Sequence, residues 1–322
     1  MFTRDDLEAA ARLVSTQMVP TPAIDWPLLG QALGAQVIVK HENHAPTGAF
    51  KVRGGITFID WVRRAHPDKP GIITATRGNH GQSQARAATA AGLAAKVLVP
   101  HGNSVEKNAA MRAFGAELIE HGRDFDEART EAMRLAEVEN LLPVPPFHRE
   151  LVRGVATYAF ELFTAHPDLD VVYVPIGCGS GICGTIAARD ALGVQTEIVG
   201  VVSDRAQTAR LSFEQGAPVE TRSANTFADG IAVRVPVVEA LDIYGRGAAR
   251  IDMVSDDQIA DAIRLFYRAT HNLAEGAGAA SLAAAIQDKD RNAGRKVGVI
   301  LSGGNIDVGA YQTILNGATP QV

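Results

Sequence analysis

The stretch Val171-Val-Tyr-Val-Pro-Ile-Gly177-Cys-Gly-Ser-Gly-Ile-Cys-Gly184-Thr-Ile-Ala-Ala-Arg189 carries a β-branched run through a glycine-rich turn straight into a helical pattern. A strand that passes tightly into a helix is half of a parallel βαβ unit. The same grammar extends outward in both directions. Short β-rich runs stand at Gln36–Lys40, Gly71–Ala75, Ala95–Val99, Glu117–Glu120, Glu197–Val202 and Val297–Leu301. Helical patterns cover Gly81–Ala91, Ser104–Phe114, Phe125–Val138 and Ser255–Ala274, with capping boxes predicted at Thr3/Asp6 and Ser255/Gln258. The expected fold class is α/β with mostly parallel sheets. Leu141-Leu-Pro-Val-Pro-Pro-Phe-His148 interrupts any regular element and reads as a link between two α/β lobes, with a ligand cleft between them at the carboxyl ends of strands.

Composition narrows the class. The chain has 322 residues, 46% hydrophobic and 21% charged, enough for one large core or two domain-sized ones. With 31 basic against 36 acidic residues and no dense basic block, nucleic acid is excluded as a partner. No apolar run reaches the ~18 residues of a membrane span, and no apolar signal core follows the charged start. Cys178 and Cys183 lack the paired spacing of a disulfide framework or zinc site, so a reducing cytoplasm is expected. Glycine, at 31 residues, is about a tenth of the chain, against a usual ~7%.

The run Gly177–Gly184 concentrates that excess where backbone N–H groups and a helix N-terminus make an anion cradle suited to a phosphate. Two phosphate carriers fit. Gly179-Ser-Gly-Ile-Cys-Gly184 matches G-x-G-x-x-G, and Asp204 follows the next strand as a ribose-binding acid would, which suits a nicotinamide oxidoreductase. Pyridoxal phosphate also needs such a cradle, together with a lysine for its Schiff base. Lysine is scarce, at Lys40, Lys51, Lys69, Lys96, Lys107, Lys289 and Lys296. Lys51 stands apart: Phe50 precedes it, and Gly48 and Gly54 flank it with room for a flat ring to approach.

Thr47-Gly-Ala-Phe-Lys51-Val-Arg-Gly54, Gly78-Asn-His-Gly-Gln82, Gly177–Gly181, Glu275-Gly-Ala-Gly-Ala-Ala280 and Ser302-Gly-Gly-Asn305, in that order, resemble the motifs of the fold-type II pyridoxal-phosphate enzymes of the serine/threonine dehydratase and serine racemase group. The resemblance spans nearly the whole chain. It implies two open, twisted α/β lobes, as in tryptophan synthase β, with the cofactor in the interlobe cleft. It implies a discontinuous large domain of residues 1–70 and 149–322 and a small domain of residues 71–148. Pyridoxal 5'-phosphate would be held by Phe50, Lys51, Asn79, Gly177, Cys178, Gly179, Ser180, Gly181, Glu275, Gly276 and Ser302. Substrate would be held by Thr76, Arg77, Gly78, Asn79 and His80, with Lys51 as Cα base and Ser180 relaying a proton to the leaving hydroxyl. His80 reads equally as a base or as a packing residue. Ser302 would meet the pyridine nitrogen, where a hydroxyl favours elimination over transamination.

The implied activity is an ammonia-lyase that dehydrates an L-β-hydroxy-α-amino acid of the threonine/serine type, with 3-hydroxyaspartate a further candidate. A cysteine synthase-like β-replacement enzyme and the nicotinamide oxidoreductase are the alternatives. Three departures qualify the resemblance. Arg77 replaces the serine that usually precedes Gly-Asn-His, which disfavours racemisation and leaves Arg77 either a partner for a second substrate carboxylate or a solvated charge. Val202 and Thr208 stand where many relatives place acidic cation ligands, so no metal is expected. The chain ends without the regulatory domain of feedback-controlled threonine deaminases, which favours a catabolic role. A homodimer is expected from the alanine-rich helix faces.

Overall fold

The computed structural model describes residues 1–321, which form two separate sheets. Its strands are β1 (Ala23–Asp25), β2 (Gln36–His41), β3 (Gly71–Ala75), β4 (Ala94–Val99), β5 (Glu117–Glu120), β6 (Leu142–Pro143), β7 (Val171–Pro175), β8 (Glu197–Ser203), β9 (Arg250–Val254) and β10 (Lys296–Leu301). The larger sheet has the order β1-β2-β10-β7-β8-β9, parallel except for the β1 edge. The smaller, β5-β4-β3-β6, is wholly parallel. The chain therefore starts the large sheet, leaves to build the small one, and returns to finish the first. β10 is inserted between β2 and β7, which brings the ends of the three strands that precede Lys51, Ser302 and the glycine run side by side.

Helices cover the sheets, which is why β7, and β10 after Lys296, are apolar instead of alternating. Gly276–Gln287 shows what burial demands of a helix: eight of its twelve residues are alanine or glycine, and it is buried through Ala285 in the core beneath the large sheet. Both capping boxes form, at Thr3/Asp6 and Ser255/Gln258.

Four sequence expectations need correction. β1, β6 and β9 are strands that periodicity missed, two of them too short to carry a pattern. Within the proline-rich link, Leu142 and Pro143 pair with Ile72 and Ile73 as an edge strand, where a missing N–H costs no ladder bond. The helix begun at Ser255 ends at Thr270, because His271 turns left-handed at φ 55. Gly54 makes no room for a ring. An added Cβ would lie 2.8 Å from Leu151 O, one at Gly55 2.4 Å from Ser83 Oγ, and one at Gly154 2.1 Å from Arg53 O. These glycines let helix Lys51–Ala65 wedge between Arg149–Ala165 and Asn79–Ala90.

Candidate active site

Lys51 opens its helix, and the chain before it is stitched to the turn after β10. Ala49 bridges Gly303, Phe50 N donates to Ser302 O at 3.0 Å, and Gly304 N donates to Gly48 O at 2.9 Å. Asn305 Nδ2 completes the seam on Thr47 O at 2.8 Å. Gly48 is glycine for two reasons: φ is 67°, and a Cβ would lie 2.4 Å from Asn305 Oδ1. From the other side Ser83 Oγ donates to Lys51 O at 2.6 Å. The Lys51 backbone is thus fixed from both sheets' layers while its amine stays free. Nζ lies 5.0 Å from the centre of the Phe50 ring. Burial pushes its pKa down, only partly opposed by Cys178 and Glu275. A lysine whose neutral form is favoured can act as nucleophile and base.

The glycine run lies beside it. Gly179 is the N-cap of helix Ser180–Leu192 at φ 99, and no side chain caps that helix. Its first N–H groups therefore remain free for an anion, at the positive end of the helix dipole. A Cβ on Gly177 would lie 2.4 Å from Gly230 O, so a second backbone segment closes that wall. Tyr158 couples the run to Lys51: its hydroxyl donates to Gly181 O at 2.9 Å, and its ring meets Phe50 edge-on with centroids 6.0 Å apart. Ser180 and Ser302 are buried and Cys178 is partly accessible.

The segment Thr76–His80 closes the opposite side. Thr76 Oγ1 accepts from Gly78 N at 3.0 Å. Asn79 Nδ2 donates to Glu275 Oε1 at 2.7 Å and Asn79 Oδ1 accepts from Asn305 Nδ2 at 2.8 Å. Glu275 is buried at the N-cap of Gly276–Gln287. Its carboxyl is pushed up to about 7, first by burial, against the pull of Lys107. His80 is held down to about 3 by burial and then by Lys51, so it is a neutral imidazole and a feeble base. This speaks against the reading of His80 as a base. Arg77 is exposed, and no acid pairs with it among the described residues. At Gly276 the crowding comes from the protein itself, since a Cβ would lie 2.7 Å from Ala228 Cα. Packing, not ring access, explains that glycine.

Four of the five motifs read from the sequence are thus joined by direct hydrogen bonds, and Phe50–Tyr158 contact joins the glycine run to them. Asp204 is elsewhere. It neighbours Asp256 and Arg205 and lines a surface cleft of about 390 Å³ with Gln207 and Thr221, to which the glycine run contributes nothing. Sequence reasoning missed Lys107, Asp229 and Tyr158. Lys107 sits in a polar, helix-opening context, Ser104-Val-Glu-Lys107, that reads as solvent-facing. The donor set fits pyridoxal phosphate: a desolvated amine without an anionic hydrogen-bond partner, an uncapped helix N-terminus, and a serine at the end of β10.

The family described as pyridoxal-phosphate dependent enzyme matches residues 14–303. The chain is 32% identical over 317 residues to an L-threonine ammonia-lyase of Thermotoga maritima, covering 98% of this chain and 79% of that one. To an L-threo-3-hydroxyaspartate ammonia-lyase of Saccharomyces cerevisiae it is 28% identical, covering 98% and 97%. Among solved structures, the processed threonine deaminase isoform 2 of Solanum lycopersicum superposes with a TM-score of 0.89 at 28% identity, over 98% of this chain and 89% of that one. Maize serine racemase gives 0.91 at 25%, over 98% and 97%.

Proposed function

The chain belongs to the pyridoxal-phosphate dependent enzymes, and from that premise we propose that this lyase dehydrates an L-β-hydroxy-α-amino acid of the threonine/serine type. When bound, pyridoxal 5'-phosphate supplies an electron sink that weakens the Cα–H bond of an attached amino acid. The observation that carries the reading is Lys51 itself, its backbone pinned by Ser83 on one side and by the Ser302–Gly304 turn on the other, with its amine over the Phe50 ring and pushed toward the neutral form by burial.

Lys51 would hold the cofactor through its amine and would take the proton from the substrate Cα. The N–H groups at the start of Ser180–Leu192 hold the phosphate. Ser302, at the end of β10, would meet the ring nitrogen, where a hydroxyl does not supply a full proton. Thr76–His80 would receive the substrate carboxylate through its backbone N–H groups, and Asn79 would donate to the cofactor's phenolic oxygen. Ser180 passes a proton to the departing hydroxyl. Water leaves, and the enamine released rearranges to an imine that water hydrolyses, giving a 2-oxo acid and ammonia.

Purified enzyme should absorb in the visible, lose that absorption to borohydride, and release ammonia and 2-oxo acid without added thiol. Product formed only when a thiol is supplied would move the assignment to β-replacement, as in cysteine synthases. A colourless protein that binds reduced nicotinamide would overturn the cofactor reading.

Arg77 favours a second substrate class, because an exposed, unpaired guanidinium beside the carboxylate-binding segment suits the extra carboxylate of 3-hydroxyaspartate. The domains proposed are residues 1–70 with 149–322 and residues 71–148, with the cofactor between them. No helix among the described residues is long and apolar enough to cross a membrane. The proposed setting is the cytoplasm, which agrees with two free thiols at Cys178 and Cys183, and the proposed assembly is a homodimer. Sedimentation equilibrium tests the assembly.

A further inference from the structure

We infer that Lys107 is a positioning residue of this site, a single cation reaching between the layers of the two sheets to set Glu275 and to lock the Thr76–His80 segment against it. The inference rests on the site reading above and adds a residue that none of the five motifs contains.

Lys107 lies in helix Val105–Ala113, which follows β4 of the small sheet. A surface lysine would extend into water, yet this side chain is only 8% exposed. Its stem fills the space beside Gly78, where a Cβ would lie 2.6 Å from Lys107 Cδ. The φ of Gly78 lies outside the left-handed region, and any side chain placed there would have to displace the Lys107 stem. The ammonium pairs with Asp229 and lies 4.0 Å from Glu275 Oε2. That carboxylate oxygen is buried with no hydrogen-bond partner, so Lys107 is the nearest charge that can compensate it.

The surroundings hold the lysine in place. Ser104 Oγ accepts from Lys107 N at 3.0 Å and pairs with Asp307 Oδ1 at 2.5 Å, and Glu106 Oε1 accepts from Val308 N at 3.0 Å. Asp229 belongs to the turn whose Gly230 O abuts Gly177. One ammonium therefore links, through immediate neighbours, the proposed substrate segment, Glu275 and the wall of the glycine run. The groups that bear on Glu275 are Lys107 from Val105–Ala113, Asp229 from its turn, Lys51 from Lys51–Ala65 and the neutral amide of Asn79. Lys107 in turn faces Asp229, Glu275 and Asp307.

Two substitutions test this with opposite signs. Lys107→Met removes the cation and keeps the stem against Gly78, so Glu275 should titrate about one pH unit or more higher. Asp229→Asn removes an anion and frees Lys107 for Glu275, so Glu275 should titrate lower. The titration is read in the holoenzyme as the infrared carboxyl band that Glu275→Gln abolishes. The acid limb of kcat/KM should move in parallel, and Lys107→Arg should restore it. An unmoved Glu275 band in Lys107→Met, or shifts of the same sign in both variants, would overturn the inference. If Lys107→Met does not fold, the Asp229→Asn shift decides alone: a lower titration supports it and an unchanged or higher one sinks it. The infrared readout needs no turnover, so it stands even if dehydratase activity is absent.

Discussion

Lys51 and Arg53 lie on the same turn of one helix, the first half-buried and the second fully buried, and the protein treats them in opposite ways. Arg53 is fully buried and fully paired. Its guanidinium donates to Glu42 at 2.8 and 3.0 Å, to Glu161 at 2.7 and 2.9 Å and to Thr157 at 3.0 Å. Lys40 joins the cluster through Glu161 at 2.5 Å and Thr21 O at 2.8 Å. The two carboxylates raise Arg53 above its ordinary value in spite of burial. Among the described residues no acid pairs with Lys51, and burial wins over the weaker pull of Cys178 and Glu275. Burial of a cation is thus no signature of function. Burial without compensation is, because the molecule tolerates its cost at a place where the neutral amine is wanted.

The sharpest way to break this contrast is activity. Lys51→Ala should abolish turnover by at least about three orders of magnitude and remove the borohydride-sensitive absorption, with the protein still folded. Measurable absorption of a covalent cofactor in that variant would end the assignment. Next comes Arg53→Met, which strands Glu42 and Glu161. Denaturant unfolding should show a loss of about 3–5 kcal/mol. A loss below about 1 kcal/mol would mean that the paired cluster contributes little.

Gly154→Ala probes the seam beneath Arg53, where the new methyl would press on Arg53 O. Overpacking of this kind costs about 1–3 kcal/mol, read as a lowered unfolding midpoint. A smaller effect of opposite sign sharpens the contrast further. In cofactor-free protein at neutral pH, Lys51→Met should raise Tm. A lysine with a lowered folded pKa binds its proton less readily than in the unfolded chain. Stability therefore increases with pH between the folded value and about 10.4, and the penalty is fully present below that window. Glu42 runs the other way: its folded pKa is depressed by Arg53 and Lys40 despite burial. Its contribution is present above about 4.3 and is lost as pH falls through the folded value, so acid unfolding should begin there in the wild type and be blunted in Glu42→Gln. The smallest effect on stability is expected of Arg77→Ala, which should leave Tm unchanged and lower turnover of 3-hydroxyaspartate relative to threonine by about tenfold. An unchanged preference would make Arg77 a solvated charge.

Much of this was legible in the chain itself. The strand runs at Gly71–Ala75 and Glu117–Glu120 and the helix Phe125–Val138 have the bounds read from their patterns, the helix because fourteen amphipathic residues leave little choice of period and the strands because glycine or polar residues bound their apolar runs. β1 and β6 are three and two residues long and exist only because a neighbour offers an edge. The reasons for the glycines were harder to read. Gly48 and Gly54 read as room for a ring, and each is crowded instead, by Asn305 and by Leu151.

By itself the sequence determined the parallel α/β class, the cofactor type and the candidate lysine, because these rest on local pattern and on motifs each contained within a few consecutive residues. Only the tertiary structure decided which charges are compensated. Arg53 meets Glu161 and Lys107 meets Asp229 across separations of 108 and 122 residues. No local pattern reports a partner so distant, and whether a buried lysine is a structural ion or a reactive amine depends on that partner.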